Sequence, residues 1–172
     1  MTQEQREQIV DMLQTAYSME LESAENYLAA SVNLEGIHAL PVKRLLAEEV
    51  TDEFGHARRI AERIHVMGGV VPGSMQLSKS QRFLQPSAEG VTLEKTVAGV
   101  IKAEEAAITH YRLLAEMAEG VDFPTHDMAI ELLADEESHR REFVGILRGI
   151  LASSDLEDPE MKGMLDGAST TY

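Results

Sequence analysis

Asp-Glu-x-x-His occurs twice in the chain, as Asp52-Glu53-Phe54-Gly55-His56 and as Asp135-Glu136-Glu137-Ser138-His139, 83 residues apart. Carboxylates and imidazoles together suit iron, manganese or zinc. On a helix, residues three apart share a face, so each Glu and its His can grip one ion together. Two such pairs, joined by one further Glu from each of two other helices, would enclose a pair of ions inside a four-helix bundle. Two ferrous ions held that way can each give an electron to O2 or H2O2.

The bare spacing is not selective. Glu-x-x-His also occurs as Glu35/His38 and Glu62/His65. Glu62 follows Glu53 by nine residues, about 900° of helical rotation, so that pair points away from the face carrying Glu53. Glu35/His38 falls past the apolar stripe of its helix. Only Glu53/His56 and Glu136/His139 follow an Asp and lie on apolar stripes. Without a cation, a carboxylate cluster on such a stripe would leave like charges repelling in a low dielectric, at several kcal/mol per uncompensated charge.

Hydrophobic period predicts four long helices to position these groups. The first runs from about Gln3 to Leu34, with Leu13, Tyr17, Glu20, Ala24, Tyr27, Ser31 and Leu34 on one stripe. The second covers about Val42 to Met67 and carries Leu46, Glu49, Glu53, His56, Ile60 and Ile64 inward. Residues 70 to 92, with Pro72, Gly73, Pro86 and Gly90, read as a long connection with a short helix near Ser80 to Leu84. The third helix spans about Leu93 to Glu119, with Val97, Ile101, Glu104, Ile108, Tyr111 and Met117 inward. Pro124 opens the fourth, which runs to about Ala152. The expected fold class is all-α. Two antiparallel helix hairpins, joined by a crossover, form one domain over residues 1–152, followed by a polar tail at 153–172.

The halves read as copies. Glu20 precedes Tyr27 by seven residues, and Glu104 precedes Tyr111 by seven. Each half thus offers Glu-x6-Tyr followed by Glu-x-x-His, which makes Glu20 and Glu104 the candidates for the other two carboxylates. Glu22, Glu25 and Glu105 are the alternatives at those positions.

As a set, Glu20, Glu53, His56, Glu104, Glu136 and His139 resemble the ferroxidase ligands of bacterioferritin and related ferritin-like proteins. The strings DEFGHARRIAERI and HDMAIELLADEESH are similar to bacterioferritin's second and fourth helices. The resemblance covers roughly residues 5 to 152. It implies a ferroxidase holding two iron ions per subunit, with manganese or zinc as other occupants. Glu53 and Glu136 would bridge the ions, Glu20 with His56 would complete one position, and Glu104 with His139 the other. Asp52 and Asp135 would each accept the distal N–H of a ligand histidine. Tyr27 and Tyr111 either hydrogen-bond the ligand carboxylates or serve as core aromatics.

The sequence departs from bacterioferritin at two places. The haem-ligating Met that follows the bridging Glu of helix 2 in that family is here Phe54, so no haem is expected at that position. The segment after helix 4 shows no clear amphipathic fifth helix, which weakens the case for a 24-subunit cage, though it stays open, and leaves room for a 12-subunit, Dps-like mini-ferritin with a bacterioferritin-type site. Iron storage or detoxification in a homo-oligomeric cage is the leading reading. A rubrerythrin- or manganese-catalase-like peroxide-scavenging enzyme without storage is the second, and a metal-free interaction bundle the third.

Composition bounds the rest. The 172 residues suit one domain with a substantial core. The chain has no Cys, which removes disulfides, thiolate metal sites and thiol nucleophiles. Thirty acidic residues against 15 basic ones give a formal charge of -15, which disfavours a nucleic-acid partner and favours cations. The amino terminus has neither a basic n-region nor an apolar h-region, and no apolar run approaches membrane-spanning length, so a cytoplasmic location and no membrane partner are expected.

Overall fold

A computed structural model describes residues 1–86, 90–153 and 159–167. Among these residues the secondary structure is helical: α1 is Gln3–Asn33, α2 Leu40–Val66, α3 Leu93–Ala118, α4 Phe123–Ser153 and α5 Pro159–Gly167. No helix there is long and apolar enough to cross a membrane.

Local chemistry sets the helix ends. Thr2 caps α1 by accepting from the Gln5 amide, while the Gln5 side chain accepts from the Thr2 amide at 2.8 Å, so two otherwise orphan donors are satisfied reciprocally. Thr92 caps α3 through its side chain alone, by accepting from the Lys95 amide. Gly120, at a φ of 67°, turns the chain between α3 and α4 in a conformation that costs glycine little. The α1–α2 and α3–α4 links are short, so each pair folds back as a hairpin.

Two apolar clusters show how the hairpins stack. One joins Tyr27, Ala30 and Leu34 of α1, Val42 and Leu46 of α2, Val97 to Ala103 of α3, and Phe143, Val144 and Leu147 of α4. The other joins Ile9 to Ala16 of α1, Ile60 and Ile64 of α2, Ala107 to Leu114 of α3, and Ala129 and Leu132 of α4. The end of α1 therefore lies beside the starts of α2 and α3 and the end of α4, which makes α1 antiparallel to α3. Burying each Leu, Ile or Phe in these clusters stabilises the bundle by about 1.5–3 kcal/mol. Between the clusters, each helix carries its acidic or imidazole residues, so a polar band crosses the middle of the core.

The crossover must run the length of the bundle to allow this topology. It contains two short 3-10 turns, Ser74–Gln76 and Arg82–Leu84, the second inside the stretch predicted to hold a helix. Glu22 is buried, and its carboxylate accepts from the backbone amides of Ser80 at 2.8 Å and Gln81 at 3.0 Å. Gln81 also joins Asn26 and Ser23. At Gly99 a Cβ would stand 2.8 Å from Leu84 and 2.9 Å from the Phe83 carbonyl, so the crossover packs directly on the α3 backbone.

Two expectations need correction. The segment after α4 does form a helix, α5, whose Met161, Met164 and Leu165 pack on the first apolar cluster; three apolar side chains at i, i+3 and i+4 are enough to seat it. Residues 154–158 and 168–172 of the expected tail lie outside the described residues. On α3, Met117 is exposed, whereas Leu114 and Ala118 take the inward places.

Candidate metal centre

Glu20 and Glu104 sit at the middle of α1 and α3, and Glu53 with His56 and Glu136 with His139 at the middle of α2 and α4. Glu20, Glu53, Glu104 and Glu136 are each at most 2% exposed. His56 is buried and His139 nearly so. One ligand atom from each of Glu20, Glu53, His56 and Glu136 lies within 4.8 Å of the others, and the same holds for Glu53, Glu104, Glu136 and His139. The two groups share Glu53 and Glu136. The six residues singled out by spacing and repeat thus converge as two adjoining sets with a pair of carboxylates between them.

The alternative carboxylates are engaged elsewhere. Glu22 holds the crossover, Glu25 pairs with Lys79, and Glu105 accepts from Arg140 at 2.9 Å. Glu35, His38, Glu62 and His65 are exposed, as the helical phase of the second pair predicts.

Proximal contacts fix the orientation of the imidazoles. His56 Nδ1 lies 3.3 Å from Glu20 Oε2 and 3.1 Å from Glu136 Oε1. His139 Nδ1 lies 3.2 Å from Glu49 Oε2 and 3.8 Å from Glu136 Oε2. The rings stack with 6.1 Å between centroids. Asp135 Oδ2 faces the distal His56 Nε2 at 3.5 Å, and Asp52 groups with Glu49 and His139. Each Asp therefore neighbours the histidine of the other motif, not its own. Both Asp residues are exposed on their helices.

The tyrosines tie the hairpins together. Tyr27 donates to Glu104 Oε1 at 2.6 Å, and Tyr111 donates to Glu20 Oε1. Burial first, then the surrounding glutamates, push both phenols well above their ordinary values, so they remain protonated donors.

Electrostatics in this band are severe. Burial drives the Glu53 carboxyl well above the ordinary range, and Glu20, Glu136 and Glu104 push it further. Burial and Glu136 do the same to Glu104. Burial also raises Glu136. Glu20 goes the other way, because its bonds to Glu53 and His56 outweigh its burial. Burial alone would lower the His56 imidazole, but Glu136 and Glu20 hold it up at about 10.

Glu49 was on the predicted inward stripe but was not among the predicted ligands. It is 4% exposed. Burial lifts its carboxyl to about 7 even with His139 opposing the shift. The duplication that picks out the other carboxylates passes over it, because its counterpart in the second half is Leu132.

A cation fits the donor set. Among the described residues, every fully buried side-chain N or O atom lacking a hydrogen-bond partner belongs to this band: Glu20 Oε2, Glu49 Oε2, His56 Nδ1, Glu136 Oε1 and His139 Nδ1. Buried polar atoms are nearly always partnered, and here the unpartnered ones point at one another. Carboxylate oxygen and imidazole nitrogen are the donors that iron, manganese and zinc accept.

Comparison with known proteins agrees with the helical-bundle fold. The chain is 22% identical over 147 residues to the DNA protection during starvation protein of Pyrococcus furiosus, covering 83% of this chain and 78% of that one. Its fold is similar to a dodecameric thioferritin, the bacterioferritin-related protein of Bacteroides fragilis, with a TM-score of 0.74 and 25% identity over 86% of this chain and 89% of that one. It is also similar to the bacterioferritin of Desulfovibrio desulfuricans, with a TM-score of 0.75 and 19% identity over 98% of this chain and 93% of that one. Residues 10–151 match the ferritin-like domain, and with four helices bringing carboxylates and imidazoles together at mid-bundle, the chain belongs to that family.

Proposed function

We propose that the protein is a ferroxidase that oxidises Fe2+ to Fe3+ at a di-metal centre and stores or detoxifies the product within a homo-oligomeric cage. The observation that carries this reading is the set of unpartnered buried atoms on Glu20, His56, Glu136 and His139. Glu53 and Glu136, common to both groups, would be the carboxylates shared by the two ions. Glu20 with His56 serves one position and Glu104 with His139 the other. Two ferrous ions held there would supply two electrons, enough to reduce O2 to H2O2 or H2O2 to two waters, with two protons consumed either way.

The chain's own residues arrange the rest. Glu53, Glu104, Glu136 and His56 give up protons when a cation arrives, since only deprotonated ligands bind it. Tyr27 and Tyr111 hold Glu104 and Glu20 in place. Asp135 and Asp52 orient the two imidazoles from their outer side. Anionic ligands favour Fe3+ over Fe2+, so the same carboxylates drive oxidation. Assembly into a closed shell is supported by the similarity to a dodecameric relative.

Replacing Glu53 and Glu136 with Ala tests the assignment. Stopped-flow mixing of ferrous salt with aerated protein should lose its rapid ferric absorbance phase, while far-UV circular dichroism retains the helical signal. A double variant that oxidises iron at the wild-type rate refutes the site.

A further inference from the structure

The two halves of the centre are not equal, and Glu49 is the difference. Glu53 and Glu136, and His56 and His139, are each 83 residues apart, and the same offset carries Glu49 onto Leu132. Leu132 is fully buried in an apolar cluster. Glu49 is a buried carboxylate whose Oε2 has no hydrogen-bond partner and lies 3.2 Å from His139 Nδ1. That separation has a simple meaning. Ligands bound at about 2.1 Å to one ion, at right angles, stand about 3 Å apart. His56 Nδ1 stands in the same relation to Glu20 and Glu136, at 3.3 and 3.1 Å. On the His139 side, Glu136 is farther, at 3.8 Å, and Glu49 takes the near place.

Resting on the di-metal reading above, we propose that Glu49 is an additional ligand to the ion at the His139 position, and that this position therefore takes up a divalent cation first and holds it more tightly than the His56 position. The His139 side then gathers Glu49, Glu53, Glu104 and Glu136 around its ion. The His56 side gathers Glu20, Glu53 and Glu136. One more anionic oxygen, already buried and already without a partner, adds attraction without a new desolvation cost. Exposed Asp52 stands beside it, but exposed Asp135 stands beside His56 in the same way, so Glu49 is the carboxylate that has no counterpart on the other side.

Co2+ is the probe, because air does not oxidise it in this ligand set and its anomalous scattering locates it. Intact protein is equilibrated with one equivalent of Co2+ per chain and crystallised, and binding is followed by calorimetry. The expected result is a stepwise titration, with occupancy at the His139 position roughly tenfold or more above that at the His56 position, the scale on which neighbouring groups tune metal sites. Glu49→Leu, which copies the residue in the other half, should bring the two occupancies near equality. Glu49→Gln, nearly the same size, should also reduce the preference if the leucine variant misfolds. Equal filling in the wild-type protein overturns the inference. So does an unchanged preference in both variants, or cobalt held by Glu49, Asp52 and His139 outside the pair. Those outcomes leave the di-metal reading standing, whereas no cobalt at either position overturns both.

Discussion

Tyr27 of α1 donates a hydrogen bond to Glu104 of α3 at 2.6 Å, and the same geometry is repeated in reverse by Tyr111 of α3 and Glu20 of α1. Both phenols are at most 1% exposed. Each hairpin therefore positions the other's carboxylate, and neither half of the centre is complete alone. Tyr27→Phe removes the donor and leaves a buried oxygen unsatisfied, at a cost of about 1–3 kcal/mol. Tyr111→Phe should cost a similar amount. Thermal unfolding of the metal-free protein measures both, and an unchanged midpoint in either variant contradicts the positioning role.

A second dependence lies at the end of the bundle far from Tyr27. Arg63 of α2 reaches Asp122 at 2.5 and 2.7 Å and Thr125 at 2.9 Å, pinning the start of α4. Burial would raise the Asp122 carboxyl, but bonds from Thr125 and Arg63 outweigh it and hold the group below its ordinary value. The folded form thus binds its proton less readily than the unfolded chain does. The stabilisation is present above the ordinary carboxylate range and is lost as pH falls through the lower, folded value. Burial likewise holds the His110 imidazole below its usual value despite its bond to the Met12 carbonyl. Its contribution has the same sign and fades as pH falls below the ordinary histidine range. Denaturant midpoints measured at falling pH should drop less steeply for Asp122→Asn than for wild type. Parallel curves would contradict the pairing.

The crossover offers a third test. Two backbone amides, Ser80 and Gln81, depend on the carboxylate of Glu22. Hydrogen bonds to a charged group contribute about 1.5–3 kcal/mol. Glu22→Ala should loosen the segment locally, seen as faster amide exchange at Ser80 and Gln81 and quicker proteolytic nicking between α2 and α3. Exchange at the bundle centre should be little affected. Protection as strong as in wild type would show that packing of Leu84 on Gly99 holds the crossover by itself.

Haem binding supplies the fourth. Phe54 is 51% exposed on the outer side of α2, next to Glu53. A phenyl ring has no lone pair to offer iron. Protein purified from haem-supplemented cells should lack a stoichiometric Soret band, and such a band would show that another side chain ligates the macrocycle.

How much of this was legible in the sequence depended on symmetry. The six convergent residues were readable because each lies on an apolar stripe and has a partner in the other half. Glu49 sits on the same stripe as Glu53, but the duplication logic has no use for a carboxylate whose counterpart is Leu132. Only the packed structure shows that its oxygen lies beside His139. Glu22 was weighed as a ligand because it is two residues from Glu20, yet two positions on a helix is about 200° of rotation. That turn aims it at the crossover. The fifth helix was missed because the segment after α4 is polar on average, although Met161, Met164 and Leu165 carry the spacing of a short amphipathic face. Met117 failed the opposite way, since its spacing from Tyr111 drifts off the stripe that Leu114 and Ala118 continue.

The last prediction sets stability against function at Glu53. Its carboxyl holds its proton to a higher pH than in the unfolded chain, so stability of the metal-free protein falls as pH rises above the ordinary carboxylate range. At neutral pH the residue is a liability unless a cation is present. Glu53→Gln keeps the shape, removes the ionisation, and should raise the metal-free unfolding midpoint by a few degrees, about 2–4 °C for each kcal/mol recovered in a chain of this size. Divalent metal should reverse the order. It stabilises whatever folded form binds it, by an amount that grows with the ratio of free ion to dissociation constant, so wild type should gain several degrees and Glu53→Gln little. Midpoints measured with chelator and with Co2+ at the same pH provide all four values. A variant that is no more stable than wild type in chelator would mean that Glu53 is compensated by other groups without metal. A variant that gains as much from Co2+ as wild type does would mean that the ion is held without its bridging carboxylate.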